Sequence, residues 1–147
     1  MGERLVWMTR VITIFLCSWI CCRSVEAAGN FSWVASANTS TLTVQELAAG
    51  AAKGITEACI QNYPIAKFGF YIVGTDFLNP KDGMYVYSVT VNVSKKGSQG
   101  SDVPPVDSYS HSGYSLGAPA IDQRRQLLEG AAQVAASELC RRLAAKR

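Results

Sequence analysis

The chain has 147 residues, 48% of them hydrophobic and 17% charged, with a formal net charge of +3. The length suits a single domain with a modest core, and the charge is too mild for the clustered basic surface of a nucleic-acid binder. One histidine and five cysteines leave little material for a metal centre or a catalytic set.

Residues 1–28 have the layout of a secretory signal peptide. Arg4 and Arg10 precede an apolar run from Val11 to Cys22, and Val25-Glu26-Ala27-Ala28 supplies small residues at a cleavage point. Removal is expected after Ala27 or Ala28. An uncleaved anchor is the weaker reading, because Arg10 and Arg23 bound a run shorter than the roughly 20 residues a spanning helix needs. A lipoprotein cut before Cys21 or Cys22 would need a small residue ahead of it, where Ile20 or Cys21 stands. No later segment is apolar enough to span a bilayer, so no stable membrane span is expected after cleavage. The expected destination is the periplasm or the extracellular space. Cleavage would remove Cys17, Cys21 and Cys22 and leave Cys59 and Cys140 in an oxidising compartment, where a disulfide is expected. Buried thiols and an intermolecular bridge are the other readings. Asn30, Asn38 and Asn92 open N-x-S sequons, which matter only in a eukaryotic source.

Residues 29–43, rich in Ser, Thr, Asn and Ala, read as an extended N-terminal arm with a short strand at Phe31 to Ala35. Residues 44–147 read as a single α+β domain. Its first helix is expected over Val44 to Gln61. Thr43 and Glu46 have the spacing of a capping box, and Val44, Leu47, Ala48, Ala51, Ile55, Ala58 and Cys59 recur at helical steps. Gly50 and Gly54 each cost about 1 kcal/mol of helix propensity but make a surface that lets another element approach closely.

A β-hairpin follows. Phe68, Phe70 and Ile72 share one strand face over Ala66 to Phe77, and Tyr85, Tyr87, Val89, Val91 and Val93 share one over Met84 to Ser94. This is the alternation of a half-buried strand. Asn79-Pro80-Lys81-Asp82-Gly83 carries turn chemistry between them. Residues 95–119, dominated by Gly, Ser, Pro, Asp and Tyr, fit no period and read as a long loop, mobile over Gly97 to Gly117. A last helix is expected over Ala120 to Ala145, with Ile121, Leu128, Ala131, Ala132, Ala135, Leu139 and Leu143 as its apolar stripe. The basic residues Arg141, Arg142, Lys146 and Arg147 suit a helix C-terminal dipole, with anion or membrane-surface binding the weaker reading.

The α-β-β-α order implies a two-layer α+β sandwich, two helices on one face of a small antiparallel sheet. Two strands are thin support for a core. The Phe31 arm, the Tyr109 to Leu116 region or a second protomer at a sheet edge is expected to extend it.

Chemistry is sparse. Asp107, Ser108, Ser110 and His111 bring triad residue types together, but a triad needs them held rigidly from different elements. Asp76 and Asp82 read as turn residues, and Asp102 and Asp107 as solvated loop residues. No metal site and no cofactor is expected. Tyr109, His111 and Tyr114, in a Ser/Gly-rich setting, are the candidate binding residues. The expected function is a non-enzymatic exported module that binds or assembles with another envelope or extracellular protein. The alternative is a small secreted hydrolase using the His111 loop.

Overall fold

Alternation along two valine- and aromatic-rich stretches builds the centre of the molecule. The computed structural model describes residues 24–27, 31–39, 41–64, 66–96 and 105–145, with backbone alone at 24–27, 31–36 and 38. Most of the expected leader and the loop segment 97–104, Asp102 included, lie outside the described residues.

Strands β3 (Phe68–Leu78) and β4 (Tyr85–Lys95) pair antiparallel in register from Phe68↔Lys95 to Leu78↔Tyr85. Phe70 and Ile72 share a face with Tyr85, Val89, Val91 and Val93, and all six are buried. The turn between them closes on Gly83, whose φ of 70° is the left-handed conformation glycine tolerates.

Two of the three expected extensions of the hairpin form within the chain. Strand β5 (Asp107–Ser115) pairs antiparallel with β4. Strand β2 (Phe31–Asn38) pairs parallel with β3, and β1 (Ser24–Ala27) pairs antiparallel with β2. The sheet order is β1-β2-β3-β4-β5. The fold is α+β, helices against a sheet with an antiparallel β3-β4-β5 centre, and β2 is a crossover partner rather than a loose arm. The loop reading of residues 95–119 is corrected over Asp107–Ser115, which is regular strand. Its polar composition hid an alternation, with Ser at positions 108, 110 and 112 on one face.

The expected single helix over Val44 to Gln61 divides in two. Helix α1 (Val44–Ala52) opens on the capping box: the Glu46 carboxylate accepts the Thr43 N–H at 2.7 Å, and the Thr43 hydroxyl accepts the Glu46 N–H at 3.2 Å. Helix α2 (Glu57–Asn62) starts afresh on Thr56, whose hydroxyl accepts the Cys59 N–H at 3.3 Å. Gly54 lies in the break. It lies so close to helix α3 (Ile121–Ala145) that a Cβ would collide with the Gln133 carbonyl oxygen and come within 2.9 Å of the Ala136 Cβ. Ser137 donates a hydrogen bond to the Gly54 carbonyl at 3.3 Å.

Helix α3 buries Leu128, Ala131, Ala132, Ala135, Ala136, Leu139, Cys140 and Leu143 against the sheet and α1. Each large aliphatic group contributes about 1.5–3 kcal/mol of transfer free energy. Ile121, expected in this stripe, is exposed in the first turn of the helix, ahead of the packed face. Cys59 on α2 and Cys140 on α3 sit at disulfide distance, with Cα atoms 5.2 Å apart. Among the described residues, no helix is long and apolar enough to cross a membrane.

Candidate functional site

Strand parity separates the three residues expected to form one binding surface. On β5, His111 pairs with Val89 and Tyr109 with Val91, so both side chains lie on the helix-covered face. Tyr109 packs against the core beneath Arg142, whose guanidinium carbon lies 4.5 Å from its ring centroid. Tyr114 has the opposite parity. It pairs with Val86 on the face opposite the described helices and is 70% exposed.

The same parity disperses the triad-like string. Asp107 and His111 share the covered face, whereas Ser108, Ser110 and Ser112 are on the open one. Four steps along the strand separate Asp107 from His111 by roughly 13 Å. The Ser110 hydroxyl instead pairs across the sheet with Thr90 at 2.7 Å. Asp107 is a half-buried strand residue rather than a solvated loop residue, and its carboxylate accepts the Ser108 N–H at 2.9 Å.

Tyr114 has apolar company that sequence reading did not assign. Register places Phe77, Val86 and Tyr114 directly abreast across β3, β4 and β5. Phe77 is 62% exposed and Val86 38%. Towards the other end of the strands, this face of β4 and β5 carries Ser88, Thr90, Asn92, Ser108, Ser110 and Ser112. The signal was present in the sequence: Phe77 stands an odd number of residues from Phe70, so it cannot share the covered face.

Behind this row, on the covered face, is a polar clamp. Asp76 is a strand residue, not a turn residue, and one of its carboxylate oxygens accepts hydrogen bonds from the Thr41 hydroxyl and from the Tyr85 hydroxyl, the latter at 2.8 Å. Asp82 does serve the turn, accepting the Met84 N–H at 2.9 Å. Tyr85 is fully buried, and Tyr87 lies tilted against it with ring centroids 5.8 Å apart. The Arg124 guanidinium lies over the Tyr85 ring, 5.8 Å from its centroid, with its Nε buried and without a hydrogen-bond partner among the described residues. Arg125 donates to the Thr41 carbonyl at 3.2 Å. Burial foremost, and then the Asp76 hydrogen bond, hold the Tyr85 hydroxyl well above its ordinary pKa. Elsewhere, the backbone and hydroxyl of Thr43 lower Glu46. The clamp fixes the segment ahead of α1 onto the sheet and holds the strand backbone carrying Phe77 and Val86.

Among the described residues, no group of three His, Cys, Asp or Glu side chains is placed to hold a metal ion. Compared with known proteins, the chain matches no family model, no curated protein and no solved structure.

Proposed function

We propose that this protein is an exported, non-enzymatic α+β module that binds another envelope or extracellular protein through the open face of its sheet. The observation that carries the reading is the exposed cross-strand row Phe77, Val86 and Tyr114. Aromatic side chains over a rigid sheet make good anchors, since their ordering costs little entropy and their burial contributes about 1.5–3 kcal/mol each. The Thr41–Asp76–Tyr85 clamp supports it by stiffening the strands from behind. Export is supported by the leader pattern and by the placement of Cys59 and Cys140 at disulfide distance. The hydrolase alternative draws no support from His111, whose neighbouring serines face the other side of the sheet. Cleavage after Ala27 or Ala28 would strip β1 and leave β2 as a sheet edge, which supports strand addition by a second protomer as a subsidiary route to assembly.

The test is site-specific photo-crosslinking in the native host from positions 77 and 114, with Ser112→photo-probe as a nearby polar position and His111→Ala as a second control. A partner captured from 77 and 114 is then purified. Phe77→Ser with Tyr114→Ser should abolish its binding while the melting temperature holds, and His111→Ala should leave binding intact. Equal binding by the double variant would overturn the reading.

A further inference from the structure

Alone, Arg141 and Arg142 are explained by the helix dipole. The fold adds three lysines to the same end of the molecule. Helix α3 begins beside Tyr85, where Arg124 covers the ring, and reaches Tyr109 at Arg142, so it runs with β4 towards Lys95. At that end Lys95 pairs with Phe68, and the Lys96 N–H donates to the Lys67 carbonyl at 2.8 Å. Lys67, Lys95, Lys96, Arg141 and Arg142 are all exposed. Among the described residues, the carboxylates on the elements meeting there are Glu57, Asp107 and Glu138; Glu138 is engaged by Arg141 at 2.8 Å, and Lys95 and Asp107 each have a partner. Apolar groups accompany the cations. Val106 is 47% exposed at the start of β5, and half-buried Tyr63 meets Phe68 edge-on with centroids 5.0 Å apart.

We propose that this basic end rests on an anionic lipid surface. The mixture of lysines with an exposed valine and a half-buried tyrosine suits the headgroup layer, where ammonium groups meet phosphates and amphipathic rings sit at the boundary. The two guanidinium forks here are already occupied, Arg141 by Glu138 and Arg142 over the Tyr109 ring, so Lys67 and Lys96 present point charges rather than a free bidentate fork, which favours a fluid lipid surface over an acidic protein partner. The arrangement would leave the Phe77–Val86–Tyr114 row about 30 Å away along β4, at the opposite end of the strands. It stands independently of that row.

Co-sedimentation of the exported protein with vesicles tests this. Binding is expected to vesicles of phosphatidylcholine with phosphatidylglycerol, not to phosphatidylcholine alone, and to weaken as salt is raised. Lys67→Gln with Lys96→Gln should lower partitioning by about 25-fold, about fivefold per charge. Lys53→Gln with Lys81→Gln removes the same net charge from positions away from this end and should change it less than about threefold. All four lysines are exposed, and near-ultraviolet circular dichroism confirms folding of both variants. Equal binding to both vesicle types, no binding to the anionic ones, or equal losses in the two variants would overturn the proposal. Tighter retention on polyglutamate than on anionic vesicles would overturn it in favour of an acidic protein partner.

Discussion

The Tyr85 hydroxyl donates a 2.8 Å hydrogen bond to the Asp76 carboxylate from inside the helix-covered face of the sheet. The two residues are diagonal neighbours across the hairpin, Asp76 standing opposite Tyr87 and Tyr85 opposite Leu78. Because Thr41 donates to the same oxygen, one carboxylate joins β3, β4 and the segment ahead of α1. Removing Asp76 leaves the buried Thr41 and Tyr85 hydroxyls short of a partner, and removing either donor takes a charge-assisted hydrogen bond from the half-buried carboxylate.

Tyr85→Phe is therefore expected to cost about 1–3 kcal/mol, read from urea unfolding. Asp76→Ala should cost at least as much, since it deprives both Thr41 and Tyr85. The double variant should be less destabilised than the sum of the two, by about 0.5–3 kcal/mol. Additive losses would mean that the contact is not energetically coupled.

Alkaline pH provides a second reading of the same contact. The folded chain holds the Tyr85 proton more tightly than the unfolded chain, whose phenol titrates near its ordinary 10.0. The folded state thus binds more protons above that pH, and stability must fall as pH rises beyond about 10. Below it this contribution is fully present. The Tyr85 phenol should resist tyrosinate formation until the protein unfolds, and Tyr85→Phe should remove that late step. A Tyr85→Phe titration that still contains it would disprove the assignment.

The hairpin was legible because its two faces differ so sharply in polarity. Val89, Val91 and Val93 alternate with Ser88, Thr90 and Asn92, and both stretches occupy the expected strands to within two residues at either end. The capping box at Thr43 and Glu46 was equally legible, since its chemistry is local. Strand β5 was legible only in part: the Tyr109 to Leu116 region is one of the expected extensions of the sheet, but neither of its faces is strongly apolar and serine favours loops, so the segment reads as loop. The break at Gly54 depends on the approach of Gln133 and Ser137, far away in sequence. The candidate site was legible only in part: Tyr114 was singled out, while Phe77 and Val86 join it only through a register that unites three strands. The role of Asp76 was hidden in the same way, as its donors Thr41 and Tyr85 come from other elements.

Two glycines should respond oppositely to alanine. At Gly54 a Cβ meets the α3 backbone at the Ser137 nitrogen, 2.9 Å away, and collides with the Gln133 carbonyl oxygen. Gly54→Ala must push α3 outward, at about 1–3 kcal/mol. At Gly130, in the middle of α3, a Cβ meets nothing within 4 Å. Gly130→Ala should stabilise by about 0.5–1 kcal/mol through helix propensity and a less flexible unfolded chain. Thermal unfolding of the two variants side by side checks both signs.

Export with cleavage makes a mass prediction. The mature protein should begin at Ala28 or Gly29, having lost Cys17, Cys21 and Cys22 with the leader. Intact-mass analysis of protein recovered from outside the cytoplasm reads this directly. A mass retaining Met1 to Arg23 would replace the signal peptide with an anchor. The processed chain would also lack Ser24–Ala27, which pairs with Phe31–Val34 of β2.

The Cys59–Cys140 bridge should carry a large share of the stability. The two cysteines, 81 residues apart in sequence, sit at disulfide distance, and a bond between them would tie short α2 to long α3. Six residues of helix cannot hold themselves in place by propensity alone, and α2 buries only Cys59. In the chain-entropy picture, closing a loop of that length stabilises the fold by about 4 kcal/mol. A domain of this size has about 5–15 kcal/mol in all. Cys59→Ser should therefore lower the melting temperature markedly and leave one thiol, at Cys140, that reacts on unfolding. Cys59→Ser with Cys140→Ser should be no less stable than the single variant, because the bridge is lost once in either case. Reduction of the unaltered protein should bring its melting temperature close to that of the double variant. Two thiols titrating in the native, exported protein without reductant would show that the pair stays reduced, and α2 would then depend on packing alone.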